Sequence, residues 1–125
     1  SNQKVKNVLS SECKGVYQGK IYVKDIAQKT DAYQLSKALL LDENAEFNSK
    51  PELEIYADDV KCSHGSSSGN IDEDSLHYLM TRGLNQKDSK KLLIKGFLND
   101  VIEFIKNPSI KRFIENKLDQ QINEH

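Results

Sequence analysis

The sequence predicts an α+β protein in which the strands come first and the helices follow. Residues of about 16–65 show the alternation of apolar and polar residues that is typical of strands, and from Ile71 onward the apolar residues recur at helical spacing. The chain of 125 residues has the size of one ordinary domain, and 37% of its residues are apolar, enough for a core of modest size. Strands followed by helices favour helices packed at one end or side of a sheet.

Three runs in the first half predict strands. Lys20–Lys24 and Glu52–Ala57 alternate apolar and polar residues, whereas Leu35–Leu41 is a denser apolar run that favours a strand covered on both faces. The links between these runs lack the two-residue Asn-Gly turn that is typical of a tight hairpin. The sequence also lacks a clean internal repeat, so it does not by itself predict stacked coils. Turn signals separate the runs at Gln18-Gly19, Lys29–Asp31 and Asp42–Pro51.

The second half contains start and stop signals for helices. Asp72 is a predicted N-cap, Gly83 is a natural helix end, and Asn85 is the N-cap of a longer helix. Pro108 is tolerated at a first helical position, so it predicts the start of a further helix. The predicted helices cover residues 72–82, 86–106 and 108–123.

Composition and net charge limit the classes of partner that the chain is expected to have. The net charge of −1 offers no basic excess for nucleic acid or an anionic membrane, so we expect neither as a partner. The longest apolar run, Ala38–Leu41, is too short to cross a bilayer. Two cysteines, Cys13 and Cys62, do not make a disulfide framework, which favours a cytoplasmic location. The chain does not begin with Met, and we expect it to be a piece of a longer protein.

Cys62 and His64 are the residues that carry the clearest chemistry. They are two positions apart, so on an extended backbone both side chains project from one face. A thiolate and an imidazole there could hold a soft metal or activate the thiol, although two ligands are only half of a closed zinc site. Cys13, His77 and His125 show no matching spacing, so no stable metal site is predicted. The alternative interpretation is an inert pair that caps a turn.

Three other features favour structural interpretations. Asp58-Asp59 is interpreted as a strand end and turn, because adjacent strand residues face opposite ways and cannot share a proton. Gly65–Gly69 lacks the Gly-Lys-Ser/Thr ending of a nucleotide loop and is interpreted as a flexible connector. The amphipathic segments 85–106 and 108–123 either present an apolar face to a partner or pack against the sheet.

Several short motifs follow one another along the chain, namely Lys29–Ala32, Leu39–Leu41, Pro51–Gly65, Ile71–Asp74 and Tyr78-Leu79 leading to Arg82–Leu84. In this order they resemble the SufB/SufD family of the SUF machinery, which assembles iron–sulfur clusters. Within the family, the segment Asp58–Gly65 is similar to the SufD branch. The SufB branch carries its scaffold cysteine in the turn matching roughly Asp42–Ala45, where this chain has no Cys.

The resemblance implies a fold and a set of partners. It implies the last coils of a right-handed parallel β-helix over residues 3–69 and a C-terminal helical region over residues 70–125. It also implies a scaffold protein that is not an enzyme, pairs with a SufB-like protein and docks a SufC-like ATPase. An excised β-helix leaves coil ends unpaired, so the fragment is expected to self-associate.

The resemblance also implies a site. The histidine implicated at the SufB–SufD interface maps onto His64, and the neighbouring motif cysteine maps onto Cys62. These two residues are the predicted cluster-binding residues, for a transient iron–sulfur cluster shared with the partner, with no catalytic residue and no stably bound metal or cofactor. Two alternatives remain: a purely structural interaction module, and a cysteine-dependent enzyme with Cys62 as nucleophile and His64 or His77 as base.

Overall fold

The structure is a computed structural model of the chain and describes residues 1–124. All strands precede all helices, which confirms the predicted order and the three helices. The described residues form two compact units, a strand unit, Ser1–Asn70, and a helical unit that begins at Ile71. The elements are β1 (Asn2–Leu9), β2 (Lys14–Val23), β3 (Asp31–Leu40), β4 (Glu46–Ile55), β5 (Lys61–Asn70), α1 (Glu73–Thr81), α2 (Gln86–Ile102) and α3 (Pro108–Glu124).

Consecutive strands of the strand unit alternate between two parallel sheets. One sheet has the order β1-β3-β5 and the other pairs β2 with β4. Parallel neighbours need a crossover connection, and here each crossover contains a strand of the other sheet. The pairing therefore recurs at a nearly constant spacing along the chain, although the sequence has no clean repeat. The spacing is shown by the pairs Asn2 and Tyr33, Lys14 and Glu46, and Asp31 and Lys61.

The buried face of the middle strand, β3, carries small and polar side chains. In the middle strand β3 the buried positions alternate with the others and are Ala32, Gln34, Ser36 and Ala38. The prediction that Leu35–Leu41 is an apolar run buried on both faces is therefore wrong, because its leucines are only half-buried. The inner face lies close to β2, where Gly19 leaves room for the Gln34 amide.

Several strand boundaries differ from the predictions. The strands begin at Asn2 rather than near residue 16, and β5 includes Gly65–Gly69, which was predicted to be a flexible connector. Pairing with β3 continues through the whole of β5, so these small residues are held by backbone hydrogen bonds. Gln18-Gly19 lies inside β2 instead of a turn, and Pro51 lies inside β4, an edge strand that tolerates the missing N–H.

The caps of α1 and α2 are confirmed. The Asp72 side chain accepts a hydrogen bond from the Asp74 backbone N–H at 3.2 Å, and the Asn85 side chain accepts one from the Asp88 N–H at 2.8 Å. These bonds satisfy backbone donors that a helix start leaves without an intrahelical partner. Gly83, just beyond α1, has a φ of 103°, a conformation that favours glycine.

The helical unit has a small buried centre. Leu76 of α1 and Ile94 of α2 are buried, and so is Ile71, which precedes α1. Helix α3 begins at Pro108 as predicted, and α2 ends at Ile102, four residues earlier than predicted. No residue of α3 is fully buried, so much of its apolar side faces solvent. Within residues 1–124, no helix has the length and apolar character needed to cross a membrane.

Candidate functional site

Cys62 and His64 lie on β5, the last strand of the three-stranded sheet. In the described part of the chain β5 pairs only with β3, so its other edge is open. Residues two apart on a strand project from the same face, and here His64 is exposed while Cys62 is half-buried. Their partners across the sheet are Gln34 for His64 and Ala32 for Cys62. The imidazole is thus accessible from outside at the end of the sheet.

Three polar residues form a row across this sheet. Gln3 of β1 pairs with Gln34 of β3, which pairs with His64 of β5; we call these three residues the Gln–His row. The Gln34 side-chain Nε2 donates to Gln3 Oε1 at 2.7 Å, and the Tyr17 hydroxyl donates to the same oxygen at 3.5 Å. Gln34 is only 2% exposed. The sequence alone does not identify Gln34 as part of this site, because its relation to His64 depends on the register of two strands that are distant in the chain.

The residue that follows His64 is small for a steric reason. A Cβ built on Gly65 would lie 2.8 Å from the Tyr33 hydroxyl oxygen and 3.3 Å from Leu35 Cδ1. Glycine therefore allows Tyr33 and Leu35 to lie over β5. From Ser66 to Asn70 the strand is exposed and carries only short side chains. Little side-chain bulk therefore surrounds the imidazole of His64 on its own strand.

The remaining candidates lie outside β5. Cys13 is exposed in the turn between β1 and β2, and His77 lies on α1 of the other unit; His125 lies outside the described residues. Within residues 1–124, no three His, Cys, Asp or Glu side chains are grouped so that they could hold a metal ion. On the strand unit itself, Cys62 and His64 are the two soft donors that share a face.

Asp58-Asp59 forms part of a turn, as predicted. Both residues are exposed and follow β4. The Asp59 backbone N–H donates to Gln28 Oε1 at 2.9 Å, and its carbonyl oxygen accepts from the Lys29 N–H at 2.6 Å. These backbone bonds connect two turns of the strand unit.

A group of paired charges lies on the two-stranded sheet. Lys20 Nζ is 2.9 Å from Glu54 Oε2 and 3.5 Å from Glu52 Oε2. The hydrogen bond with Glu54 raises the pKa of Lys20, and the same bond lowers the pKa of Glu54. The Tyr56 hydroxyl also donates to Glu54, which raises the pKa of Tyr56. These exposed groups pair β2 with β4 and have a structural role.

The helical unit offers an apolar surface. An open depression of about 460 Å³ lies between α1 and α2. Helix α3 adds Ile110, Phe113 and Ile114, which are 52%, 62% and 37% exposed. Exposed apolar side chains grouped on one helix are typical of surfaces that bind another protein. The depression is lined by Asp74, Ser75, Tyr78, Leu79, Leu92 and Leu93.

Comparison with known families identifies the chain. The family described as "SUF system FeS cluster assembly, SufBD core domain" matches residues 1–97, which include every strand and most of α2. The chain belongs to the SufB/SufD family. The resemblance inferred from the Pro51–Gly65 segment and its neighbouring motifs is thereby confirmed.

Individual relatives place the chain near the SufD branch of the SufB/SufD family. It is 38% identical over 122 residues to the iron–sulfur cluster assembly protein SufD of Escherichia coli, covering 98% of this chain and 29% of that protein. A SufBD family protein of Synechocystis is 40% identical over 89% of this chain and 24% of its own length. SufD of Bacillus subtilis is 30% identical over 92% of this chain and 26% of its length. The chain thus spans less than a third of the length of these relatives.

Proposed function

We propose that this chain is part of a SufD-like component of the SUF scaffold that assembles iron–sulfur clusters. In this role it pairs with a SufB-like protein and docks a SufC-like ATPase. The observation that carries the proposal is the match of the SufBD core domain to residues 1–97. The similarity to proteins named SufD over 92–98% of the chain favours the SufD branch.

We further propose that the strand unit is the end of a right-handed parallel β-helix. Support comes from three parallel pairings at a nearly constant spacing along the chain, with consecutive strands alternating between two sheets. Each coil would then contribute one strand to each sheet. The β-helix coils would cover residues 3–69, and the C-terminal helical region would cover residues 70–125.

The open edge of β5 is the proposed contact with a SufB-like partner. An edge strand presents unpaired N–H and C=O groups, which readily pair with another strand. The exposed residues Ser66 to Asn70 carry short side chains that leave this edge accessible. Two copies of the isolated chain would associate through the same edge, so we expect light scattering at high concentration to detect a species larger than the monomer.

His64 is the proposed cluster-binding residue of this contact, with Cys62 as a secondary one. A neutral imidazole is a competent ligand for iron, and a site divided between two chains can hold a cluster and release it. The cluster is the cargo of the scaffold, and a thiolate from the partner would complete the site. Cys62 is half-buried and therefore less accessible than His64. No stable cofactor or metal is required.

A scaffold role accounts for this site better than catalysis. A cysteine-dependent enzyme needs a base that is itself oriented by a third group. Cys62 and His64 stand side by side on one strand, and their neighbours across the sheet, Ala32 and Gln34, supply no carboxylate. The two unpaired cysteines, Cys13 and Cys62, agree with the reducing cytoplasm as the site of assembly.

The ATPase is proposed to bind the helical unit. Its support is the depression between α1 and α2 together with the exposed apolar residues of α3. The test of the whole proposal is co-purification of this chain with SufB-like and SufC-like proteins. Recovery of both partners is expected, and recovery of neither would contradict the proposal. The alternative function, a structural interaction module without cluster binding, predicts the same complex and differs only in the role of His64.

A further inference from the structure

We propose that Gln34 is a positioning residue for His64. In this arrangement the His64 ring turns so that one imidazole N–H donates to the side-chain carbonyl oxygen, Oε1, of Gln34, and this bond holds the ring in a single tautomer. The second ring nitrogen then keeps its lone pair for a ligand that arrives from outside. This inference deepens the proposed function and rests on it, because it assigns the residue that orients the proposed cluster-binding histidine.

The first support is the order of the Gln–His row. Gln3, Gln34 and His64 occupy successive positions across three parallel strands. Neighbouring strands lie about 4.8 Å apart, so in-register amide side chains can bond to one another along the row. The step from Gln34 to Gln3 makes such a bond, with Nε2 donating to Oε1 at 2.7 Å. A second bond with the same direction would have His64 as the donor and Gln34 as the acceptor.

The second support is an atom without a partner. Gln34 Oε1 is buried and accepts no hydrogen bond from residues 1–124. Buried carbonyl oxygens are nearly always paired, because they lose their bonds to water on burial. In a planar amide the oxygen points away from the nitrogen, and here the nitrogen is engaged with Gln3 on one side of the row. The residue on the other side is His64.

The third support is the freedom of the imidazole. His64 is exposed, and within residues 1–124 its ring makes no hydrogen bond. No hydrogen bond within the described residues therefore has to break when the two side-chain torsions direct a ring N–H toward Gln34 Oε1. A neutral imidazole has one N–H donor and one acceptor nitrogen, so a partner on one nitrogen decides the state of the other. Histidines that bind metals are oriented in this way by a carbonyl or carboxylate oxygen.

The test reads the tautomer of each histidine directly. The full chain is labelled with ¹⁵N-histidine, and its long-range ¹H–¹⁵N correlations are recorded at a pH well above the usual imidazole pKa. We expect a single dominant tautomer for His64 and the ordinary mixture for His77, which is exposed on α1. Gln34→Met, similar in shape but without the amide, should shift the tautomer ratio of His64 by about fivefold. Gln34→Glu keeps an acceptor oxygen and should preserve the dominant tautomer.

Ser36→Ala is the matched control. Ser36 lies on the same face of β3, is as buried as Gln34, and its hydroxyl also lacks a partner within residues 1–124. It pairs with Ser66 and not with His64, so this variant should leave the His64 tautomer unchanged. A dispersed amide spectrum verifies that each variant is folded. If Gln34→Met unfolds, the His64 tautomer ratios of the wild-type chain and of Gln34→Glu still test the proposal.

The proposal is overturned if His64 shows the same tautomer mixture as His77 in the wild-type chain. It is equally overturned if a folded Gln34→Met variant retains the wild-type ratio. The tautomer is measured on the chain alone, without a cluster or a partner. A negative tautomer result would therefore leave the cluster-binding role of His64 untouched, because that role is judged by cluster assembly. In the same way, a negative result in cluster assembly would not alter the tautomer result.

Discussion

Gln34 and His64 face each other across adjacent parallel strands, with one residue buried and the other exposed. The pair extends from the interior of the strand unit to the open edge of β5. Gln34 is held by its hydrogen bond with Gln3 and fits into the space that Gly19 leaves. His64 lies on β5, beyond which no further strand of the described chain follows. The candidate site is therefore a rigid interior row that ends in an accessible imidazole.

The close approach of β2 to Gln34 predicts that a larger residue at position 19 destabilises the strand unit. A Cβ at this position would lie 2.6 Å from Gln34 Nε2 and 2.6 Å from the Tyr17 hydroxyl oxygen. Gly19→Ala should therefore lower the free energy of unfolding by about 1–2 kcal/mol, because the buried Gln34 amide and the half-buried Tyr17 side chain must shift. Gly69→Ala is the control, since nothing lies within 4 Å of its Cβ. Equal stability of the two variants in urea unfolding would contradict the packing described for the inner face.

The N-cap of α2 predicts a smaller loss. The Asn85 side chain accepts from the Asp88 N–H at 2.8 Å, and alanine cannot replace that acceptor. Asn85→Ala should destabilise the helical unit by about 1 kcal/mol, whereas Asn85→Asp should be nearly neutral because it restores an acceptor. Urea unfolding followed by far-ultraviolet circular dichroism measures both. An unchanged midpoint for Asn85→Ala would show that the cap contributes nothing.

The N-cap of α1 predicts a dependence on pH. The hydrogen bond from Ser75, together with backbone bonds from Asp74 and Ser75, lowers the pKa of Asp72 below its usual value. A carboxyl with a lowered folded-state pKa contributes stability above its unfolded-state pKa and loses it as the pH falls through the folded-state pKa. Acid should therefore speed amide exchange in the first turn of α1 relative to Asp72→Asn, whose cap does not titrate. The same acid response in both chains would contradict this cause.

Local chemistry and long-range pairing explain what the sequence could and could not predict. Asp72, Asn85 and Pro108 act within one helical turn, so their roles follow from residue type alone. The strand through Gly65–Gly69 does not follow in this way, because glycine and serine have no strand preference and pairing with β3 holds them. The contribution of Gln34 is equally non-local, since β4 and its flanking turns separate it from His64 in the chain.

The exposed apolar face of α3 predicts a binding surface for the SufC-like ATPase. Phe113 is 62% exposed, so Phe113→Ser should weaken ATPase binding about tenfold with little cost to folding. Ile26→Ser is the control, because Ile26 is 84% exposed in the strand unit. Pull-down titrations compare the two, together with deletion of the chain from Asn85 onward, which should abolish binding. Undiminished binding by Phe113→Ser and by the deletion would place the docking surface elsewhere.

The central claim is that His64 takes part in cluster assembly at the contact with a SufB-like partner. The most direct measurement is anaerobic cluster reconstitution, followed by visible absorbance, in complexes with SufB-like and SufC-like proteins. We expect His64→Ala to lower the cluster yield strongly, and Cys62→Ala, at a half-buried position, to lower it less. Both variants must first be shown to form the complex. A normal rate and yield for His64→Ala in an intact complex would contradict the claim and leave this chain a structural partner only.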